Sequence, residues 1–322
     1  MTDEIRSTDA SISTMWAMQN YPDLNDFFKV AKRLEFQKIE LNHQVNSSML
    51  AHVTLDHVQF SSVHEPCPAD ISTKDLVDRD WLISSADDIS RKRGVETVKR
   101  SIKLAHELRA PTVVVHCGNV ATNVDFESKL QGLFEKGKDQ SDEYQSLRSR
   151  FIQFRADHAV PRLNAVKKSL NELLEIADHY GVKLGLENRY HYLDIPSIHE
   201  MEELLSLADS NRLGFIYDVG HAQALDRLGF FTHEDWLKRY TSRMLGAHFH
   251  DVIGLSDHYA PGMGEIDFVK IAPYLPEKAF RTFEMLPGNT LAQVKCGVNL
   301  LLEAGCIKYL WLPKESCHAQ LF

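Results

Sequence analysis

The 322-residue sequence predicts an α/β fold, a single closed (β/α)₈ barrel, from the regular alternation of apolar runs and amphipathic segments. Short, nearly continuous apolar runs such as Thr112–Val115 are typical of buried parallel strands. Strict strand–helix alternation indicates a parallel sheet, and eight such units favour closure into a barrel. An open doubly wound sheet is the alternative, but no glycine-rich dinucleotide fingerprint follows the first strand.

Each element follows from its local pattern. In the first half, apolar residues at helical spacing, such as Leu24, Phe27 and Ala31, predict helices at 24–36, 47–53 and 86–108. The expected strands there are 12–19, 38–41, 57–63 and 112–115. In the second half, we expect strands at 183–187, 213–218, 244–249 and 279–285, and helices at 162–179, 197–208, 234–243, 267–275 and 290–304. Gly181 is the expected C-terminal cap of the helix 162–179.

One long segment interrupts this alternation. Residues 119–160 are charged and helix-favouring, and they contain no strand-like run. They follow the C-terminal end of the fourth strand, so we predict a helical insertion or lid on that face of one domain spanning 1–322. The alternative is that this segment forms a surface helical hairpin used in oligomer contacts. The sequence is compatible with a homo-oligomer.

Composition restricts the classes of partner. The net charge of −9 argues against a nucleic-acid partner. No apolar run has the length of a transmembrane helix, which predicts no membrane partner. The N-terminus lacks a signal-peptide pattern, and the five cysteines show no C-x-x-C spacing. We therefore expect a cytoplasmic protein.

Four consecutive predicted strands, the fifth to the eighth, end in polar groups: Glu187, Asp218, His248 and Glu284. Catalytic groups of such barrels gather at the C-terminal ends of several strands, so these side chains are expected to converge. Three neighbouring buried carboxylates would repel one another, and a divalent cation removes that conflict. The pattern predicts a metal site, although each residue alone is equally well explained as a helix N-cap or rim group.

Four histidines form a second set: His64, His116, His221 and His258. They would either bind a second metal ion or donate hydrogen bonds to a polyhydroxylated substrate, and the sequence is compatible with both roles. Alternation along a strand places His248 and His250 on the same side, so either is a candidate ligand, and we favour His248. Arg189 either contacts substrate oxygens or pairs with a carboxylate of the site.

Short motifs in this order resemble the xylose isomerase-like TIM barrels, a superfamily of sugar isomerases, sugar epimerases and apurinic endonucleases. The resemblance extends from Ile39 to Glu284 and rests on Val63-His64-Glu65-Pro66, Val115-His116-Cys117-Gly118, Leu186-Glu187-Asn188, Tyr217-Asp218-Val219-Gly220-His221, His248-Phe249-His250-Asp251 and His258 followed by 261–267.

Resemblance to the epimerases implies that Glu187, Asp218, His248 and Glu284 bind one Mn²⁺, Mg²⁺ or Co²⁺. It also implies that the two glutamates serve as acid and base on opposite faces of the substrate, and that Glu40 and His221 contact it. Resemblance to the zinc endonucleases implies that His64, His116, His221 and His258 complete a three-zinc site. The aspartate expected two residues before His258 is Ser256 here, with Asp257 beside it.

The leading hypothesis is an isomerase or epimerase of a sugar, sugar phosphate or polyol that depends on a divalent metal (Mn, Mg, Co or Zn). Glu187 and Glu284 would exchange the proton, and Arg189 and His221 would orient substrate oxygens. The alternative is a zinc-dependent phosphodiesterase of the apurinic-endonuclease type. A third class, a non-catalytic barrel that binds a ligand, is also compatible with the fold.

Overall fold

The structure, a computed structural model, describes residues 4–313 except 56, 123 and 124. Eight parallel strands close a barrel in which β8 pairs with both β7 and β1. The strands are β1 Ala10–Ser13, β2 Lys38–Leu41, β3 Gln59–His64, β4 Thr112–Val115, β5 Lys183–Glu187, β6 Leu213–Asp218, β7 Met244–Phe249 and β8 Phe280–Phe283. The predicted (β/α)₈ barrel is confirmed.

Helices surround the barrel. Their bounds are Leu24–Arg33, Ser47–Leu50, Thr73–Asp78, Asp88–Glu107, Phe126–Glu135, Asp142–Tyr180, Ile198–Leu205, Val219–Arg227, His233–Tyr240, Phe268–Ile271 and Leu291–Glu303, with 3₁₀ turns at Thr241–Arg243 and Ala272–Tyr274. None of the helices in the described ranges is both long and apolar enough to cross a membrane.

Five barrel strands, β2 and β4 to β7, begin and end at the predicted residues. The first strand differs, because it ends at Ser13 instead of continuing to residue 19. Beyond Ser13 the backbone turns, and the amides of Trp16 and Ala17 donate to the carbonyls of Ser13 and Thr14. The Trp16 indole donates to the Asn289 carbonyl at 2.7 Å and is buried in the core. The apolar run that suggested a longer strand is therefore a packed turn.

The insertion consists of Phe126–Glu135 and the first part of a 39-residue helix, Asp142–Tyr180. The helix was predicted to start only at 162, but it runs through Pro161 without interruption. A proline inside a helix costs about 3 kcal/mol or more. Buried side chains on both sides of Pro161, including Phe151, Arg155, Leu163 and Val166, offset that cost. Gly181 has φ 67° and caps the helix as predicted.

Sequence patterns missed two antiparallel pairs that lie outside the barrel sheet. Glu4–Thr8 pairs with Tyr309–Pro313, and Asp251–Ile253 pairs with Ser256–Tyr259. The second pair follows β7 directly and carries His258. It therefore returns this histidine to the strand-end face, where the polar residues converge.

Candidate metal centre

The four predicted metal ligands meet around one imidazole nitrogen. His248 Nδ1 lies 2.7 Å from Glu187 Oε1, 2.9 Å from Glu284 Oε2 and 3.7 Å from Asp218 Oδ2. All four side chains are at most 2% exposed. The strand register explains why these side chains lie close together, because Asp218 and His248 are partners across β6 and β7, and Glu284 follows β8 immediately.

These close contacts are not hydrogen bonds. His248 Nδ1, Glu187 Oε1 and Glu284 Oε1 are buried without a hydrogen-bond partner among the described residues. Buried polar atoms are nearly always paired, and clustered carboxylates repel unless a positive charge stands between them. Carboxylate oxygens with one imidazole nitrogen form a donor set that suits a divalent cation. The residues therefore fit the metal ion that the sequence predicted.

The potential ligands form two groups, each with ligand atoms lying within 4.8 Å of one another. The carboxylate cluster comprises His64, Glu187, His248 and Glu284, and the histidine cluster comprises Asp218, His221, His250 and His258. Asp218 connects them, because it lies near His248 while both its oxygens are 3.0 Å from His250 Nε2.

Positive and hydrogen-bonding groups surround Glu187. Arg189 forms an ion pair with its Oε2, and His116 Nε2 lies at 3.0 Å from the same oxygen. His64 Nε2 is 3.8 Å from Oε1. Burial raises the pKa of Glu187, but Arg189 and these imidazoles outweigh burial and hold that pKa well below its usual value. The second carboxylate near Arg189 is Asp194, at 3.5 Å. Arg189 thus forms the ion pair that was one of its two interpretations, and a contact with substrate oxygens stays a prediction.

Glu40 lies behind His248. It is fully buried, its Oε2 accepts from Ser62 Oγ at 2.6 Å, and the same oxygen lies 3.1 Å from His248 Nε2. His248 therefore lies between Glu40 and the other potential ligands, and the expected role of Glu40 in the substrate pocket stays a prediction. A carboxylate on the far nitrogen fixes the orientation of an imidazole and leaves the near nitrogen available to a metal.

The histidine cluster is hydrogen-bonded more completely. Asp218 caps the helix Val219–Arg227 by accepting from the His221 amide at 2.7 Å. Asn188 exchanges two 2.8 Å hydrogen bonds with the Asp218 backbone. The rings of His250 and His258 stack, with centroids 4.1 Å apart. Asp218 therefore fulfils both roles considered from sequence, helix cap and member of the polar site.

Asp257, next to Ser256, lies close to two histidines of the site. Its Oδ1 lies 3.0 Å from His258 Nδ1, and its Oδ2 lies 3.8 Å from His221 Nε2. Burial raises the pKa of Asp257, but the contact with His258 lowers it further, to below its usual value. The neighbouring residue thus reaches the two histidines of the implied third-metal position.

His250, which the sequence offered as the alternative ligand to His248, joins the histidine cluster. Two further residues of the site were not singled out as ligands or contacts from sequence: Glu65 accepts from the His116 amide at 3.0 Å, and the His43 ring lies 5.2 Å from that of His64. Burial raises the pKa of Glu65 to about 7 and lowers that of His43 to about 3. Both residues follow barrel strands, so the strand-end rule that selected His64 would also have selected them.

Comparison with known sequences identifies the family. The profile described as xylose isomerase-like TIM barrel matches residues 62–287. An uncharacterised protein of Methanocaldococcus jannaschii is 27% identical over 190 residues, 58% of this chain and 54% of that protein. One from Sinorhizobium fredii is 28% identical over 196 residues, 61% of this chain and 52% of that protein. The chain spans about half the length of these relatives.

Solved structures share the fold. A D-tagatose 3-epimerase-like protein is 20% identical, with a TM-score of 0.60, covering 91% of this chain and 96% of that chain. An L-ribulose 3-epimerase is 15% identical, with a TM-score of 0.62 and coverages of 93% and 94%. The IolI protein with a zinc atom is 14% identical, with a TM-score of 0.63 and coverages of 92% and 97%. With a family profile matched over most of its length, the chain belongs to the xylose isomerase-like TIM barrel family.

Proposed function

We propose that this chain is a divalent-metal-dependent isomerase or epimerase of a sugar, sugar phosphate or polyol. The observation that carries the proposal is the convergence of Glu187, Glu284 and Asp218 on Nδ1 of His248, which has no hydrogen-bond partner among residues 4–313 as described. Structural neighbours that act on sugars, among them an L-ribulose 3-epimerase and a 3-keto-D-glucoside 4-epimerase, support the same class.

Glu187 and Glu284 are assigned as the acid and base. They approach His248 Nδ1 from β5 and the end of β8. One carboxylate accepts the proton from the carbon next to a carbonyl, and the other returns a proton to the product. Because both are buried, few waters compete for that proton.

Glu187, Asp218, His248 and Glu284 would hold a divalent cation, which would supply Lewis acidity towards the substrate carbonyl. The chain's own contributions are orientation and exclusion of water. Glu40 fixes the His248 ring, while Arg189 and His116 fix Glu187. His221 and His258 lie beside Asp218 and are assigned to hydrogen bonds with substrate hydroxyls.

A panel of ketoses and phosphorylated ketoses in deuterated water tests this function. We expect metal-dependent incorporation of deuterium at the carbon next to the carbonyl for at least one member, detected by NMR. Chelator treatment abolishes the exchange, and the added metal restores it. Exchange at full rate by metal-free protein would contradict the proposal.

A metal-activated phosphodiesterase is the second candidate, and one observation favours it. His64 and His116 both direct Nε2 towards Glu187, at 3.8 and 3.0 Å, as the ligands of an additional ion would. A zinc hydroxide would then be the nucleophile. Cleavage of an oligonucleotide containing one abasic site, together with more than one zinc ion per chain, would support this candidate over the isomerase.

A further inference from the structure

His250 is the second histidine at the C-terminal end of β7, and no step of the proposed reaction uses it. It follows the strand directly, two residues after His248, and its side chain is fully buried. Its Nε2 lies 3.0 Å from both oxygens of Asp218, so proximity alone makes it a potential metal ligand. The hydrogen bonds of its two ring nitrogens distinguish a ligand from another role.

The Nδ1 atom of His250 accepts a hydrogen bond. The backbone amide of His258 lies 2.9 Å from it, and an amide N–H can only donate. Nδ1 therefore carries no proton, and because a neutral imidazole bears one proton, that proton is on Nε2. The Nε2–H group donates to both oxygens of Asp218. A metal ligand needs a nitrogen with a free lone pair, and this ring offers none.

His248 shows the opposite state at the same strand end. Its Nε2 lies 3.1 Å from Glu40 Oε2. Its Nδ1 has no hydrogen-bond partner in the part of the chain that the structure describes, and it faces the carboxylates of Glu187 and Glu284. Of the two histidines, only His248 thus has a nitrogen available to a cation.

The His250 ring also holds the hairpin formed by Asp251–Ile253 and Ser256–Tyr259. Within this hairpin His258 has φ 59°, in the left-handed region that residues other than glycine rarely adopt. Its amide donates to the His250 ring, and the two imidazoles stack with centroids 4.1 Å apart. One side chain therefore contacts both a proposed metal ligand, Asp218, and a residue assigned to substrate.

A glycine makes room for this ring. Gly220 lies in the first turn of the helix Val219–Arg227, and its φ is not positive, so its backbone conformation does not require glycine. A Cβ atom at this position would overlap Cε1 and Nδ1 of His250. Glycine inside a helix costs about 1 kcal/mol relative to alanine. The residue that lets the ring reach Asp218 is therefore one that destabilises its own helix.

We propose that His250 is a positioning residue and not a metal ligand: its neutral imidazole, protonated on Nε2, orients the Asp218 carboxylate towards the metal centre and fixes the hairpin that carries His258. The inference rests on the metal centre of the proposed function. Asp218 Oδ1 also accepts from the His221 amide at 2.7 Å. Oδ2, which among the described residues accepts only a share of the His250 N–H, retains a lone pair and lies 3.7 Å from His248 Nδ1.

Two replacements of His250 separate its two contacts. In His250→Asn, the side-chain oxygen takes the place of Nδ1 and accepts from the His258 amide, but the donor to Asp218 is lost. In His250→Gln, the side-chain nitrogen takes the place of Nε2 and donates to Asp218, but the acceptor for the amide is lost.

Chelator competition with Zn²⁺ and hydrogen exchange of the His258 amide measure the two contacts. We expect His250→Asn to lower Zn²⁺ affinity roughly 10–100-fold and to keep the amide protected. His250→Gln should keep Zn²⁺ affinity near the native value and exchange the amide faster. If both variants lose metal affinity and amide protection together, the role of His250 is merely structural and the proposal is overturned.

Matched controls accompany these variants. His199→Asn, at an exposed position of the helix Ile198–Leu205, should change neither quantity. Gly220→Ala should lower Zn²⁺ affinity as His250→Asn does, because the added methyl group displaces the ring. Gly132→Ala, where an added methyl group meets nothing within 4 Å, should not. Thermal unfolding verifies the fold of each variant. Native Zn²⁺ affinity in folded Gly220→Ala would contradict the positioning role.

Nitrogen NMR of the native chain with isotope-labelled histidine tests the tautomer without any variant. In metal-free and in Zn²⁺-loaded protein, His250 should show a protonated Nε2 and an unprotonated Nδ1, while Zn²⁺ shifts the Nδ1 signal of His248. A proton on His250 Nδ1, or loss of the Nε2 proton when Zn²⁺ is added, overturns the proposal. If the chain binds no divalent cation, the proposed function fails, and the tautomer and amide exchange of the metal-free chain show separately whether His250 holds Asp218 and the hairpin.

Discussion

The carboxylate cluster and the histidine cluster adjoin at Asp218 but differ in how their polar atoms are satisfied. In the first, His248 Nδ1, Glu187 Oε1 and Glu284 Oε1 are buried without a hydrogen-bond partner in the part of the chain that the structure describes. In the second, Asp218 accepts from a backbone amide and from His250, and Asn188 holds its backbone. The polar atoms of the first cluster therefore fit a divalent cation, whereas hydrogen bonds within the described residues already satisfy Asp218 in the second.

Glu284→Gln should have the largest effect on turnover. The amide keeps one oxygen ligand but loses the proton-transfer group, so we expect a loss of roughly 10²–10⁴-fold in kcat. Metal affinity should fall less than kcat, because the other three ligands remain. Steady-state kinetics and metal titration measure the two quantities, with the exposed Glu303→Gln as control. If metal affinity and kcat fell by the same factor, the result would contradict a catalytic role of Glu284.

Arg155→Met tests whether the insertion supports the carboxylate cluster. Arg155 pairs with Glu200 at 2.7 Å and donates to the carbonyls of Tyr192 and Asp194, the loop that carries the partner of Arg189. Removing one member of a buried pair costs about 3–5 kcal/mol in the free energy of unfolding.

The control for this variant is Lys167→Met, which breaks the exposed pair with Glu203 on the same long helix. That change should cost less than about 1 kcal/mol. Urea denaturation measures both free energies. Equal effects of the two variants would show that the insertion is not anchored through Arg155.

Glu40→Gln distinguishes orientation of His248 from contact with substrate. Because Glu40 contacts the far nitrogen of His248, its replacement should lower metal affinity roughly 10–100-fold. The Michaelis constant at saturating metal should stay near the native value. Competition with a chelator and steady-state kinetics measure these two effects. An altered Michaelis constant with unchanged metal affinity would instead return Glu40 to the substrate pocket.

His258→Gln should have the smallest effect and act on the histidine cluster alone. Loss of one hydrogen bond to substrate should raise the Michaelis constant roughly five- to tenfold, with metal content unchanged. Elemental analysis of the purified variant, alongside kinetics, checks both expectations. A loss of bound metal in this variant would show that the histidine cluster holds an ion of its own.

The strand-end rule explains why so much of the site was predictable. Parallel strands in a barrel bring their C-terminal ends to one face, so Glu187, Asp218, His248 and Glu284 had to converge once the strand count was right. The direction in which each side chain points could not be predicted in the same way. Only the packed structure shows that Glu40 lies behind His248, or that Arg189 pairs with Glu187.

Other features depend on tertiary packing that no local pattern records. The helix was expected to start at 162, but buried contacts on both sides of Pro161 keep that proline inside one longer helix. The short run around Trp16 resembles a strand, yet its backbone turns because the indole is held by Asn289, far away in sequence. The lid role of 119–160 stays a prediction, while the structure does show aromatic contacts of this segment, such as Phe151 with Tyr192.

Metal stoichiometry tests the contrast between the two clusters most directly. The full chain is stripped with a chelator, reconstituted separately with Mn²⁺ and Zn²⁺, freed of excess ion and analysed by mass spectrometry for metal per chain. We expect one ion per chain. The double variant that combines Glu187→Gln with Glu284→Gln should lose this ion, and His258→Gln should retain it. Two or three tightly bound zinc ions per chain would contradict it and favour the phosphodiesterase.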